Sequence, residues 1–375
     1  MNGSEKNFDL AIAGGGLIGA ACAAACAQRG LRVAIVEQKA WGSGATSAGM
    51  GHIVAMDDSD AQFALIHYSQ QLWRQLAELL PVSAGYRAIG TIWIAEDREE
   101  LAVAEAKHTY FTERGLSSSM LTRAELLQQE PHLAPDLAGG LLVKSDAVVD
   151  SPSVARFLIE TAHNAGARTI LGQRAEVLGE GRLQLTDGTE IRANRVLNAL
   201  GADAVRLAPN LPVRPRKGHL AISSNYPDLV RHQVVELGYI KSAHNLEADS
   251  VAFNVQPRGD GQLCIGSSRQ FNSPTDAVEP AIITAMLARA ARFLPGLDIT
   301  SPMHTRAGFR TATPDKLPLI GPYPGDETIL LATGHEGLGI TTALATAELV
   351  ADQLTGHTST IDPTPYLPGR FPHLS

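Results

Sequence analysis

The sequence predicts an α/β fold, with a strand, glycine loop and helix towards each end of the chain and a β-rich region between. Three observations carry this. Residues Phe8 to Glu37, FDLAIAGGGLIGAACAAACAQRGLRVAIVE, read as strand, glycine loop, helix and strand. A second glycine loop, GHEGLG at Gly334 to Gly339, also leads from a strand into a helix near the far end. Between Val213 and Ser268 short β-rich runs replace the helical patterns.

The first unit opens with an apolar run, Leu10 to Ala13, suited to a buried parallel strand. Gly14, Gly16 and Gly19 follow in G-x-G-x-x-G order, with Leu17 and Ile18 between the last two. Gly14 allows the tight turn, Gly16 lets backbone approach a pyrophosphate, and Gly19 lets helix and strand pack closely. Ala20 to Gln28 reads as a helix stopped by Gly30, and Arg32 to Val36 as the next strand. The helix N-terminus offers unpaired N–H groups and partial positive charge to phosphates. Glu37, followed by Gln38, ends the second strand, where a carboxylate accepts both ribose hydroxyls and disfavours a 2′-phosphate. A lone glycine motif is weak evidence. Here strand, glycines, helix, strand and acid fall in order, which predicts dinucleotide binding.

Trp41 to Met56, WGSGATSAGMGHIVAM, is glycine-rich and then abruptly apolar. It reads as a backbone loop lying against something flat, with Thr46 and Ser47 offering hydroxyls and amides. Ala61 to Leu80 has helical periodicity, with Leu65, Leu72, Leu76 and Leu79 as its stripe and Ile66, Trp73 and Leu80 widening it. Thr91 to Ala95 is a short β-rich run. Arg98 to Thr112 and Thr122 to Gln129 read as helices, the second opened by a Thr122/Glu125 capping box. Ser153 to Ala165 is a further helix, Arg168 to Leu171 a strand, and Asp187-Gly188 a hairpin turn. Arg195 to Leu200 is an apolar strand running into Gly201. Strands are expected at Gly218 to Ser223, Val234 to Leu237, Val251 to Gln256 and Gln262 to Ser267. A helix is expected from Glu279 to Phe293, with Pro280 in its first turn. Ile329 to Leu331 is a strand and Ile340 to Leu354 the helix after the second glycine loop. The tail after Gly356 reads as an ordered surface wrap.

The 375 residues suffice for two domains and a large core. A hydrophobic content of 44% with 19% charged residues fits a globular protein. Net charge is −8, with lysines and arginines scattered, which argues against nucleic acid and anionic membrane as main partners. Cys22, Cys26 and Cys264 offer no disulfide framework, and the two on the first helix are expected to pack as small hydrophobes. No apolar stretch reaches the ~18 residues of a membrane span, and MNGSEKNFDL lacks signal-peptide regions, so the expected location is cytoplasmic. Neither a Ser-His-Asp arrangement nor metal-ligand spacing is visible.

Two glycine loops, each opening a helix, are more than a nicotinamide enzyme needs. A flavin is longer: one loop takes its pyrophosphate, and a second helix N-terminus can face the ring that becomes anionic on reduction. The competing reading of Gly334 to Gly339 is an ordinary strand-to-helix turn. His52 either faces the active site or packs, His335 either packs or bonds the flavin, and Tyr239 either borders the substrate or sits in a sheet.

Together, the G-x-G-x-x-G with Glu37, GSGATSAGM, VVDSP, PDKLPLIGP and TGHEGLG resemble the D-amino-acid oxidase superfamily of FAD enzymes, and within it the glycine/sarcosine oxidase branch. The resemblance covers roughly Phe8 to Leu354. It implies a discontinuous Rossmann-like FAD-binding domain, expected at 1–85, 145–210 and 300–375, and an antiparallel-sheet (α+β) substrate domain at 86–144 and 211–299. Carried over by residue, Glu37 matches the ribose ligand, and Thr46, Ser47, Ala48, Gly49 and Met50 the loop along pyrophosphate and flavin. Val177 matches a backbone contact to adenine, and Gly201 the glycine beside the pyrophosphate. Gly334, His335, Glu336, Gly337, Leu338, Gly339 and Ile340 match the pyrimidine-side loop. Arg310 matches the arginine that grips the substrate carboxylate, a role suited to a planar guanidinium.

The departures are as informative. Gly337 stands where glycine oxidases carry a second arginine, and Asn254 where they carry a tyrosine over the substrate. Arg269 occupies a position that is apolar there. Gly308 stands where sarcosine oxidases tether FAD to a cysteine, so the flavin is expected to be noncovalent. HEGLG, IGSSRQF and DPTPYLPGRF look closer to D-hydroxyproline dehydrogenase, opine oxidase β subunits and a hydrogen cyanide synthase subunit. The resemblance therefore implies oxidation of the Cα–N bond of a small amino or imino acid, with D-hydroxyproline the leading substrate. Glycine, sarcosine or an opine follow, and an NAD-dependent dehydrogenase is the different-class alternative. Arg310, Asn254, Arg269 and His52 are the expected catalytic set. Redox partner subunits or a homo-oligomer are the expected assemblies.

Overall fold

Close backbone packing decides where the first sheet forms. The computed structural model describes residues 8–238, 249–271, 273 and 275–374. β1 (Phe8–Ala13) lies between β2 (Val33–Glu37) and β11 (Glu190–Asn198), parallel to both. β8 (Arg168–Leu171) extends the sheet beyond β2, and β18 (Asp326–Thr333) extends it beyond β11, again in parallel. β17 (Leu319–Tyr323) closes that edge as an antiparallel strand. β9 (Ala175–Gly179) and β10 (Arg182–Leu185) form a hairpin layered onto β11. The strands at the two ends of the chain thus meet in one sheet.

Helix α1 (Leu17–Gln28) packs against α5 (Ser151–Asn164) and α8 (Gly339–Thr355). Being covered on several sides, it has no polar face, which explains the run of alanines; Cys22 and Cys26 are fully buried there and reduced. It begins three residues earlier than its alanine run suggests, because Gly16 serves as the N-cap. Helix α2 (Asp60–Ala77) is capped by Ser59 and buries Leu65, Ile66 and Trp73. Its stripe is shorter than the periodicity predicts: Leu79 lies beyond the helix and is 70% exposed. The Trp73 indole donates 3.0 Å to the Thr341 carbonyl, tying α2 to the start of α8. In the tail, Tyr366 is buried and its hydroxyl donates to Ala61 O at 2.6 Å.

The second sheet has the order β16 (His304–Ala312), β12 (Arg214–Asn225), β15 (Gln262–Arg269), β14 (Ser250–Pro257), β13 (Gln233–Glu236), β4 (Thr91–Ala95), β6 (Gly139–Val143), β5 (Ser118–Thr122). All pairings are antiparallel except β13 with β4. β16, on the far side of the expected boundary at 300, pairs along β12 from Arg214–Ala312 to Ile222–His304. α7 (Pro280–Phe293) covers one face, with Phe253 stacked on Phe293 at 4.8 Å between centroids. α3 (Arg98–Glu113) and α4 (Arg123–Gln129) flank β5 and β6, and the Thr122/Glu125 capping box is present. α6 (Ala204–Leu207) is a single turn after Gly201. A short pair, β3 (His52–Ile53) with β7 (Ala147–Val148), lies outside both sheets.

Asp146, one residue before β7, is wholly buried. Its Oδ1 accepts from Ala55 N at 3.1 Å and Gln70 Nε2 at 2.9 Å, yet burial dominates and pushes its pKa up to about 7. Between about 4, the unfolded carboxyl's value, and 7 the folded state holds a proton the unfolded chain has lost, so this group favours folding less as pH rises. Asp146→Asn keeps both acceptor bonds and removes the titration. Wild type should therefore gain on the variant by up to about 1.4 kcal/mol per pH unit as pH falls from 7 towards 4. Parallel urea titrations measure it, and a pH-independent difference would refute it.

Candidate active site

The glycine loop is formed by contacts that exclude side chains. Gly14 has φ +107°, and a Cβ on Gly19 would stand 1.9 Å from Gly14 O. A Cβ on Gly15 would meet the Trp41 ring at 2.4 Å. Gly16 caps α1 without a side chain; the Thr46 hydroxyl instead accepts from Leu17 N at 3.0 Å, and Ile18 follows in the first turn. Glu37 accepts from Gly15 N and Lys39 N, each at 2.8 Å, so it holds the loop's shape from the tip of β2, with Gln38 exposed beside it.

The loop from Thr46 to Met50 then crosses to the second sheet. Thr46 O accepts from Ser151 Oγ at 2.9 Å, and Ser47 O from Arg306 Nη1 at 3.2 Å. A Cβ on Gly308 would lie 2.4 Å from Ala48 Cβ, and one on Gly266 would lie 2.8 Å from Met50 Sδ. Gly49 faces Ile340, whose Cδ1 would be 2.9 Å from an added Cβ. The loop is thus pressed between the opening of α8 and a strip of glycines on the second sheet.

The late loop closes the arrangement. Gly334 has φ +79°, with Thr313 against it. His335 is buried, and its Nε2 lies 3.0 Å from Thr346 Oγ1. Burial holds its pKa down at about 3, so the ring is neutral and anchors the loop to α8. Glu336 pairs with Arg216 on β12, Leu338 N donates to His335 O at 3.0 Å, and Gly339 starts α8. Gly337 lies beside Arg310, whose Cδ would be 3.9 Å from a Cβ placed there. Gly201, at φ +58°, accepts from Thr333 Oγ1 at 3.2 Å, joining the ends of β11 and β18. Val177 on β9 is 44% exposed at the sheet's edge.

Arg310 is aimed by β16. Its Nη1 donates to Ser268 O at 3.1 Å, and its Nη2 lies 2.8 Å from where a Gly218 Cβ would be. Gly218 was not singled out from sequence; a glycine inside a strand run is the signal that another group approaches closely there. His52 on β3 is near enough that burial, then the Arg310 charge, press its pKa down to about 3. Its Nε2 is buried with no hydrogen-bond partner among the described residues, as is Asn254 Oδ1 on β14. Asn254 faces Gly266 across the ladder, and Arg269 ends β15 opposite Ser250. The structure thus brings Arg310, His52 and Gly337 together and places Asn254 beside the glycine under Met50. Tyr239 lies outside the described residues.

These features fit FAD. The cradle at Gly14 to Gly19 has backbone where side chains would stand, helix N-termini open both glycine loops, and buried polar atoms at His52 and Asn254 await partners. No cluster of metal-ligating side chains occurs among the described residues, and no helix among them is long and apolar enough to cross a membrane.

Comparison with known proteins agrees with this geometry. The chain is 30% identical to the glycine oxidase of Geobacillus kaustophilus over 96% of both chains. The crystal structure of glycine oxidase from that organism superposes with a TM-score of 0.87, at 29% identity, covering 98% of this chain and all of the other. Hydrogen cyanide synthase subunit HcnC of Pseudomonas aeruginosa is 25% identical over 98% of this chain and 97% of its own. L-proline dehydrogenase from P. horikoshii shares the fold at a TM-score of 0.88, with 20% identity, 98% of this chain and 99% of that one. The family model described as DAO, FAD dependent oxidoreductase, matches residues 9–353. The chain belongs to the DAO family of FAD-dependent oxidoreductases, and it is an FAD enzyme acting on C–N bonds of amino acids.

Proposed function

We propose that this chain is a dehydrogenase of a cyclic secondary amino acid, with cis-4-hydroxy-D-proline the leading substrate and FAD held noncovalently. The observation that carries the reading is Arg310, whose guanidinium is held by the Ser268 carbonyl beside Gly337, a position with no side chain to cover it. A domain division into an FAD part and a substrate part follows the two sheets, with β16 assigned to the second. The noncovalent reading is supported by Gly308, where any side chain would collide with Ala48.

Bound FAD would supply the acceptor for the substrate's Cα hydride. The protein's part is orientation. Arg310 binds the carboxylate through the face its Ser268 bond leaves open, fixing the Cα–H direction. His52 stays neutral at working pH and can only exchange hydrogen bonds with the amine; a base of pKa about 3 does not take its proton. The amine must therefore reach the site deprotonated or lose its proton to water, and the turnover rate rises with pH through the bound amine's pKa. An imine leaves, to be hydrolysed or to remain as a pyrroline carboxylate. Beyond the flavin loop, Met50, Leu220, Ile222, Cys264, Arg258 and Arg306 line a cleft one loop away from the cradle. The late loop HEGLG, which resembles that of relatives working as subunits such as hydrogen cyanide synthase subunit HcnC, supports electron hand-off to a partner subunit over direct reaction with oxygen.

A second reading, glycine oxidase, is favoured by the 30% identity to the Geobacillus enzyme. An anaerobic flavin-bleaching screen with D- and L-proline, the hydroxyprolines, glycine, sarcosine and octopine separates them. Bleaching by hydroxy-D-proline is expected; bleaching by glycine or sarcosine with no response to any proline would replace our reading with the second. Acid precipitation should release the yellow colour into the supernatant, and colour left in the pellet would defeat noncovalent binding. Arg310→Ala should lose about 2–5 kcal/mol of transition-state stabilisation, measured as kcat/KM. Near-normal efficiency in that variant would remove Arg310 from the site.

A further inference from the structure

Arg310 does not stand alone on its face of the sheet. Arg216 is its direct partner in the β12–β16 ladder, so the two side chains emerge side by side. Two guanidiniums this close repel, and the structure answers with Glu336, which pairs with Arg216 from the late loop. Only 15% of the Arg216 side chain and 18% of the Glu336 side chain are exposed, and the Phe271 ring lies 5.0 Å from the Arg216 guanidinium carbon. Glu336 adopts φ +50°, a left-handed conformation costly for a non-glycine residue. Its neighbour Gly337 lies beside Arg310, whose Cδ would be 3.9 Å from a Cβ placed there. The pair thus sits at the wall of the carboxylate site. It does not saturate Arg216, whose Nε is buried without a hydrogen-bond partner among the described residues.

We propose that the Arg216–Glu336 pair is a charge selector for the substrate pocket. With Glu336 ionised, Arg216 is withheld and the pocket takes one carboxylate, at Arg310. With Glu336 neutralised, Arg216 becomes a second anchor and the pocket takes dicarboxylates. The physical basis is that a largely buried guanidinium without its counter-ion recruits the nearest available anion. This rests on the reading of Arg310 as carboxylate anchor, but not on which amine is oxidised. It therefore restricts the enzyme to monocarboxylate amines, neutral beyond the single carboxylate.

The test uses unreactive ligands, so it is independent of turnover. Oxidised holoenzyme is titrated with acetate and with malonate, and binding is read from the perturbed flavin absorbance. Wild type is expected to bind acetate at least as well as malonate. Glu336→Gln should shift the ratio of the two affinities towards malonate by about tenfold or more, and adding Arg216→Gln should abolish that shift. An unchanged ratio in Glu336→Gln, or a malonate preference that survives in the double variant, overturns the proposal. Should Glu336→Gln lose its flavin, Arg216→Gln alone decides. The released Glu336 carboxylate then competes for Arg310, and acetate affinity should fall about tenfold; unchanged acetate affinity would refute the pairing's role. Failure of acetate to bind wild type while amino acids still bleach the flavin would instead overturn the anchor itself.

Discussion

The approach of α1 to β1 at Gly14 and Gly19 is the constraint from which the rest of the site follows. At 1.9 Å from Gly14 O there is no place for even a methyl group on Gly19, so the helix starts directly against the strand end. That leaves the first amides of α1 facing outward, and one of them, Leu17 N, is taken by Thr46. Thr46 begins the loop that carries Ala48 and Met50 onto the glycines of the second sheet. One close backbone contact therefore helps register the nucleotide cradle against the second sheet through the loop from Thr46 to Met50.

Electrostatics at the junction are arranged by burial as much as by charge. His52 and His335 are both kept neutral by their surroundings, one beside Arg310 and one under the late loop. Neither adds positive charge to that of the Arg310 guanidinium or to the start of the last helix. Acidic groups are spent elsewhere: Glu37 on loop amides, Glu336 on Arg216.

Much of the first sheet was legible because period and punctuation agree: an apolar run, glycines, an alanine helix and a second apolar run admit one arrangement. The Thr122/Glu125 cap was equally plain, since its geometry is local. β5 and β6 were not, because SSMLT and GGLLV are short and take their strand character from neighbours in the sheet. Leu79 extended a helical stripe on paper, but Leu80-Pro81 ends the helix before the stripe can bury it. At the site, Arg310 could be proposed from its flanking residues. Gly218 beneath it, Ser268 behind it and Arg216 beside it could not, since they come from strands that only the sheet register makes adjacent.

β16 is also the last strand of its sheet. Apart from one bridge between Ala312 and His335, its outer side pairs with no strand among the described residues, and an unpaired edge is the template on which sheets from two molecules join. Arg306 and Arg310 lie on one face along it, and a second copy aligned there would bring guanidiniums towards one another. Guanidiniums on this face therefore work against pairing of two copies along the edge. A protein engineer who reshapes this strand for a new ligand is editing colloidal behaviour along with recognition.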